Sequence, residues 1–321
     1  MSADIFRTPW KPTPAEMPRF ISHSDRIVTI GSCFADNVGE RLKADMVRVT
    51  ANPLGTMYNP ASIAGCVDRL VNRQYFTASD LFEHNGMLHT FSTHSSLSSY
   101  GDEEAALEKL NAAVDNGADA IASADVVILT LGTAWTFHLA GSDRVVANCH
   151  KLPASRFERI MMSVDEAGQW LRESCAKLRS IRHDQRIIIT VSPIRHLSDG
   201  LHGNMLSKST LILAAERIIT EESDIYYFPA FELMLDDLRD YRFYAADMVH
   251  PSSTAIDYIY SRFTEAYFTP EAIATAAECG KLSRRLSHRL NPDASPEMNA
   301  RFKAETETLH NQLITKYPYL Q

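Results

Sequence analysis

Cysteine, long apolar runs and positive charge are all scarce in this 321-residue chain, and each scarcity excludes a class of protein. The five cysteines are odd in number, scattered and without C-x-x-C spacing, which fits reduced thiols in a cytoplasm better than a disulfide framework or a zinc site. No stretch approaches the roughly 18 uninterrupted apolar residues of a membrane span. The net charge of -8 argues against nucleic-acid binding, which needs a basic face.

The first residues of the chain do not resemble a secretory signal peptide. Residues 1–7 do not have the basic and then apolar run of a signal peptide. Together with the cysteine pattern, this predicts a cytoplasmic protein. A chain of this length with 45% hydrophobic residues can form one large domain with an appendage.

Apolar runs alternate with helical patterns along most of the chain. The candidate strands are Ile27–Ile30, Val47–Val49, Val126–Leu131, Arg186–Val191 and Ile225–Phe228. The candidate helices are 33–43, 60–73, 103–122, 164–181, 205–222 and 252–267. Two of the strands contain continuously apolar runs, Val126–Leu129 and Ile187–Ile189, as expected of parallel strands that are covered on both faces. We therefore predict an α/β protein, a three-layer α/β/α sandwich of flavodoxin-like type with a mostly parallel sheet.

The last fifty residues differ in character from the rest. Residues 271–290 and 296–315 read as polar-rich helices separated by Asn291-Pro292-Asp293, with no strand between them. We predict a domain over residues 1–268 and a helical appendage over residues 269–321. The appendage is expected to pack on the domain or on a second subunit, which leaves a homodimer open.

A serine stands where the first strand ends and a helix begins. Ser32 follows that strand, and Asp247 and His250 lie in an Asp-x-x-His element far downstream. A serine hydroxyl becomes a good nucleophile when a histidine takes its proton and a carboxylate orients the histidine. Because ligands gather beyond the carboxyl ends of parallel strands, the order predicts a triad at that edge. The competing interpretation is that Ser32 only caps the helix.

Other polar residues follow strands at the same edge. Arg195 and His196 come after the fourth strand, where they either line a polar substrate pocket or satisfy loop carbonyls. Cys33 stands at a helix N-terminus, where the dipole lowers a thiol pKa. Adjacent side chains in such a turn point apart, so the sequence favours Ser32 as nucleophile and a buried Cys33. His89 and His94 lack the spacing of a helical metal pair, and no metal or cofactor is expected.

Several strings in order carry a resemblance to a known family. They are Gly31–Ala35, Asn52–Pro60, Leu131–Trp135, Ala147–Lys151, Thr190–His196 and Tyr241–Pro251. On these strings, the chain resembles the GSCFA domain family, a branch of the SGNH (GDSL-like) hydrolase superfamily, over residues 25–265. The resemblance implies an SGNH hydrolase-like fold.

The resemblance also implies roles for individual residues. Ser32 is implied as nucleophile, with its own backbone N–H and that of Gly55 as oxyanion donors. His250 is implied as general base, and Asp247 as the group that orients it.

One string departs from the superfamily pattern. The third block normally reads Gly-x-Asn, but here Gly132 and Thr133 are followed by alanine. The Thr133 hydroxyl, or an amide of Asn52 or Asn59, then replaces the missing donor, or the hole has only two donors.

These features predict a serine-dependent esterase that hydrolyses a small acyl ester, with an O-acetylated carbohydrate as the substrate class suggested by the family. Two alternatives remain open. One is an O-acyltransferase that passes the acyl group to a sugar hydroxyl, and the other is a non-catalytic ligand-binding protein on the same fold.

Overall fold

In the computed structural model, which describes residues 10, 12–13, 16–288 and 295–320, five parallel strands form a central sheet. The strands in chain order are β1 (Arg26–Gly31), β2 (Arg48–Ala51), β3 (Phe82–His84), β4 (Met87–His89), β5 (Val126–Leu131), β6 (Trp135–Leu139), β7 (Val145–Val146), β8 (Phe157–Met161), β9 (Arg186–Val191) and β10 (Ile225–Phe228). The helices are α1 (Cys33–Ala44), α2 (Pro60–Val71), α3 (Glu103–Ser123), α4 (Val164–Ile181), α5 (Gly200–Glu221), α6 (Ala230–Glu232), α7 (Ser253–Tyr267), α8 (Pro270–Ser287) and α9 (Pro296–Lys316).

The central sheet has the strand order β10-β9-β5-β1-β2, and each neighbouring pair is parallel. At its carboxyl edge, Gly31 of β1 pairs with Thr130 of β5, and Leu131 of β5 pairs with Val191 of β9. The loops after β1, β5 and β9 therefore leave the sheet side by side. This register brings residues from distant parts of the sequence to one edge.

Alternate residues of each central strand face two different cores. Val28 belongs to the core that α2, α3, α4 and α5 cover, whereas Ile27 belongs to the core beneath α1 and α7. The sheet is thus the middle of three layers, because both of its faces bury apolar side chains against helices. The predicted α/β/α class and the five predicted strands are confirmed.

The structure also contains short antiparallel strands that the sequence does not predict. Strands β6, β7 and β8 form a separate sheet in the order β7-β6-β8, and β3 pairs with β4. Most residues of β8 are exposed, so this strand lacks the apolar run that identifies a buried one. Helix α5 begins at Gly200, five residues before the predicted start.

Two C-terminal helices, α8 and α9, follow the sheet as predicted. They are joined by Lys316 and Glu278, whose charged groups lie 2.8 Å apart, and Tyr319 hydrogen-bonds to His23 at 3.0 Å. The predicted break at residues 291–293 and the first seven residues lie outside the described residues, and the domain boundary at 268/269 stays a prediction. Among the helices described, none combines the length and apolar character needed to cross a bilayer.

Candidate active site

The turn from β1 into α1 is built on a glycine and a capping serine. Gly31 has φ 150°, and a Cβ there would lie 2.1 Å from the Thr130 carbonyl oxygen, so only glycine fits. Ser32 is the N-cap of α1, and its Oγ accepts a hydrogen bond from the Phe34 amide at 3.3 Å. Ser32 is only 2% exposed. Its hydroxyl therefore makes the capping interaction that the sequence left open.

Asn52 holds this turn in place. Its Oδ1 accepts from the Gly31 amide at 2.8 Å, and its Nδ2 donates to Asp36 at 2.7 Å and to the Ser32 carbonyl at 3.5 Å. Asn52 adopts φ 43°, and its side chain is buried. Because both ends of its amide have partners in the turn, Asn52 supports the turn and does not face the pocket described below.

Asp247 and His250 form a tight carboxylate–imidazole pair on one exposed turn. The Asp247 Oδ1 accepts from the amides of Val249 and His250 at 2.9 and 3.0 Å, and its Oδ2 lies 2.7 Å from His250 Nδ1. The backbone N–H of His250 is the main cause that lowers the pKa of Asp247 to about 2. The charged carboxylate keeps a proton on Nδ1, which leaves Nε2 of the neutral ring as an acceptor.

The accepting nitrogen of His250 faces Cys33. The distance from His250 Nε2 to Cys33 Sγ is 3.9 Å, within hydrogen-bonding range for sulfur. Within the described part of the chain, the Ser32 hydroxyl makes no hydrogen bond to the ring. Burial raises the pKa of the Cys33 thiol, so the resting sulfur is protonated. Ser32 as nucleophile stays a prediction.

A cavity of 440 Å³ opens above this contact, and we call it the edge pocket. Cys33 and His250 line it together with three of the six residues that the sequence assigned to oxyanion or substrate binding. Those residues are Thr133, Arg195 and His196, accompanied by Asn59. Asn52 and Gly55 do not line it. A larger cavity of 1040 Å³ lies beside β10 and contains neither Cys33 nor His250.

The two backbone amides implied as oxyanion donors have other partners. The Ser32 amide donates to the Thr130 carbonyl at 3.0 Å, and the Gly55 amide donates to the Asn52 carbonyl at 2.7 Å. Gly55 has φ 79°, and its loop packs against the His94 side chain. In this conformation neither amide is available to an oxyanion.

Of the three proposed substitutes for the missing asparagine, Asn59 has the most suitable surroundings. Its Oδ1 caps α2 by accepting from the Ser62 amide at 2.8 Å. No acceptor for its Nδ2 occurs among the residues described, whereas the Cys33 amide is directed at the sulfur of its own side chain. Thr133 Oγ1 instead lies 3.0 Å from Ser207 Oγ. Two N–H groups are therefore offered by residues that line the edge pocket: the Cys33 amide, which faces its own sulfur, and the Asn59 side chain.

Gly132, Arg195 and His196 complete the predicted set. The Gly132 amide donates to the Tyr58 carbonyl at 2.8 Å, so this glycine fixes the pocket wall. The Arg195 guanidinium lies 4.8 Å from the centre of the Tyr244 ring. Burial lowers the pKa of His196 to about 4, which keeps its imidazole neutral near pH 7. Arg195 thus supplies positive charge to the pocket, whereas His196 does not.

Lys208 is a buried residue that the sequence reasoning missed. It is fully buried, and its Nζ donates to the carbonyl oxygens of Gly132 at 2.6 Å and Ser192 at 2.8 Å. These contacts join the loops that follow β5 and β9. Burial lowers the pKa of Lys208 to about 7. The sequence could have predicted its burial, because Lys208 lies on the apolar stripe of α5, three residues before Leu211 and seven before Ala215.

His89 and His150 have structural partners. His89 Nδ1 lies 2.6 Å from Ser98 Oγ, and His150 Nε2 lies 2.9 Å from the Thr90 carbonyl, which turns His150 away from Cys149. In residues 16–288 and 295–320, no group of three or more histidine, cysteine or acidic side chains could hold a metal ion.

Comparison with known proteins gives distant structural likenesses and one family. The Clostridium thermocellum family 3 carbohydrate esterase shares 8% identity and a TM-score of 0.35, over 75% of this chain and 94% of that one. A family 3 carbohydrate esterase from Talaromyces cellulolyticus shares 10% identity and a TM-score of 0.35, over 78% of this chain and 98% of that one. An acetyl esterase mutant solved with an acetate ion shares 10% identity and a TM-score of 0.37, over 78% of this chain and 98% of that one. These values are too low to transfer an activity.

No curated protein sequence matches the chain significantly. The model of the GSCFA family matches residues 26–263. Because this match covers well over half of the chain and includes both the α1 turn and the Asp247–His250 pair, the protein belongs to the GSCFA family.

Proposed function

We propose that this protein is an esterase that hydrolyses a small acyl ester by covalent catalysis at the edge pocket. His250 acts as general base, Asp247 orients it, and the nucleophile comes from the first turn of α1. The observation that carries the proposal is the His250 ring. Its Nδ1 lies 2.7 Å from a charged carboxylate, and its Nε2 points to the start of a helix that bears two nucleophilic side chains.

The chemistry needs donors for the charge that develops on the carbonyl oxygen. The Cys33 amide, which is directed at its own sulfur, and the Asn59 Nδ2, which has no acceptor within the described structure, belong to residues that line the pocket, and they supply these donors. Both belong to helix N-termini, where the dipole favours negative charge. Preorganised donors of this kind are a major source of rate enhancement in acyl transfer.

The pocket favours a small acyl group on a polar alcohol. A cavity of 440 Å³ suits a small substrate, and it is lined by the polar side chains of Asn148 and Arg195. Trp135 and Phe137 add aromatic surface, although the Arg159 guanidinium lies 4.0 Å from the Trp135 ring centre and covers part of it. An O-acetylated sugar combines these properties, and we propose it as the substrate class.

Acetyl release measured with and without sugar acceptors tests the function. We expect the wild-type protein to release acetate from 4-nitrophenyl acetate and from acetylated monosaccharides without an acceptor. Release that stays slow until a sugar is added would instead identify an acyltransferase, the alternative that the missing asparagine keeps open. If neither reaction occurs and an acetylated sugar only binds, the protein is a binding protein and the esterase proposal is wrong.

The change Asn59→Asp tests the oxyanion assignment. Aspartate caps a helix as well as asparagine does, so the start of α2 is kept, but the Nδ2 donor is lost. We expect kcat for ester hydrolysis to fall by about a hundredfold. The matched control is Asn72→Asp, at the exposed C-terminal end of α2, which should keep the wild-type kcat. An unchanged kcat in Asn59→Asp would remove Asn59 from the oxyanion hole.

A further inference from the structure

The first turn of α1 presents two nucleophilic atoms in different surroundings. The Ser32 hydroxyl is buried and accepts from the Phe34 amide, as an N-cap does. The Cys33 side chain is half-buried and lines the edge pocket. Only the sulfur contacts the ring nitrogen that accepts a proton, at 3.9 Å from His250 Nε2. The two neighbours thus divide into a capping group and a group that faces the substrate space.

We propose that Cys33, and not Ser32, is the catalytic nucleophile, acting in a Cys33–His250–Asp247 triad. This inference rests on the esterase function proposed above and names the atom that carries the acyl group. Ser32 is then a positioning residue that fixes the first turn of α1. Asn52 supports the same turn through the Gly31 amide and the Ser32 carbonyl.

The reaction balances without any additional reagent. Cys33 Sγ attacks the ester carbonyl carbon while its proton moves to His250 Nε2, and the carbonyl oxygen becomes an oxyanion. Collapse of this intermediate breaks the carbon–oxygen bond, and the alcohol leaves with the proton from Nε2. A water molecule then attacks the thioester, again giving its proton to His250. The second collapse releases the carboxylic acid and returns the proton to sulfur.

The surroundings of the sulfur explain why it needs the histidine. Burial raises the pKa of Cys33, so the thiol does not ionise alone near pH 7. A base that removes the proton during the attack is therefore required, and His250 is placed to do so. The Cys33 amide lies next to the reacting carbon, which lets the nucleophile's own residue donate to the oxyanion, as in other acyl-transfer enzymes.

Alkylation with iodoacetamide, followed for each cysteine by peptide mass spectrometry, tests the activated thiol without any substrate. We expect His250→Gln to slow alkylation of Cys33 at least about tenfold. Cys149 lines the same pocket and serves as the internal control, because its alkylation rate should not change. If Cys33 reacts equally fast in wild type and His250→Gln, the ring does not activate the sulfur and the proposal is wrong.

The site of the acyl-enzyme gives the second measurement. After turnover of 4-nitrophenyl acetate is quenched with acid, we expect the acetyl group on the peptide that contains Cys33, as a thioester that neutral hydroxylamine removes. The adduct should persist in Ser32→Ala and be absent from Cys33→Ala. An oxygen ester on Ser32, stable to neutral hydroxylamine, would overturn the cysteine assignment and leave the esterase proposal intact. If alkylation of Cys33 depends on His250 but no ester is turned over, the activated thiol is supported and the esterase proposal is wrong.

Discussion

Replacing His250 with alanine is expected to lower kcat/KM for a small acetyl ester by three to four orders of magnitude, on the order of general-base catalysis in well-studied enzymes. The change removes the only group that contacts the Cys33 thiol as a proton acceptor in the described structure. It should leave the fold intact, because the side chain is about half exposed, at 48%. The loss follows whether sulfur or oxygen attacks, since both nucleophiles need the base.

Two further variants sharpen this experiment. Asp247→Asn keeps a carbonyl oxygen for the amides of Val249 and His250 but presents an N–H₂ group to the ring, which forces the proton onto Nε2. Asp247→Asn should lower the rate of ester hydrolysis less than His250→Ala does, and its unfolding transition should match that of the wild type. His183→Ala removes an exposed histidine that precedes β9, at the opposite edge of the sheet, and should keep full activity. Activity within tenfold of wild type in His250→Ala would contradict the mechanism.

The second large effect concerns the pH dependence of stability through Lys208. Its pKa is lowered by burial to about 7 in the folded protein, against an ordinary value of 10.5. Between these two values the unfolded chain binds more protons than the folded one, so the free energy of unfolding rises with pH. One such group changes it by about 1.4 kcal/mol per pH unit, or about 3 kcal/mol from pH 7 to about pH 9.5.

The comparison with Lys208→Met isolates this contribution. We expect the free energy of unfolding of wild type, measured in urea, to rise relative to that of Lys208→Met across this pH range. Below pH 7 the difference should become constant, because Lys208 is then charged in both states. Lys43→Met, which removes an exposed lysine from the end of α1, should follow wild type at every pH. A difference that does not vary with pH would mean that the two carbonyl acceptors keep Lys208 fully charged.

The sequence predicts the central sheet well and the small antiparallel sheet not at all, for one physical reason. The residues of β5 are all buried, so it contains the continuously apolar run Val126–Leu129, which can be recognised. In β8, the three central residues are exposed and no apolar pattern remains. The early start of α5 was missed because Gly200 and Gly203 are poor helix formers. A buried strand shows an apolar run in the sequence, whereas an exposed strand shows none.

The candidate site divides in the same way. The Asp-x-x-His spacing predicts the Asp247–His250 pair because both partners lie on one short turn, where local geometry decides. The choice between Ser32 and Cys33 depends on which of two adjacent side chains turns back to cap α1, and the residue types alone allow both. Lys208 could be suspected from its apolar stripe, but its acceptors come from loops far away in sequence. The edge at which these segments meet was predictable, but the choice between adjacent side chains and the acceptors of Lys208 were not.

The turn that carries Asp247 and His250 is a self-contained unit. Its carboxylate is held by the amides of the same turn, and Met248 adopts φ 60° to close it. The turn is tied to the loop after β9 through the Val249 carbonyl, which accepts from the Arg195 amide at 3.3 Å, but among the described residues the partners of the Asp247 carboxylate all belong to the turn itself. A lineage could therefore exchange oxygen for sulfur at the start of α1 without rebuilding its proton acceptor, so the two halves of the machinery are free to evolve separately.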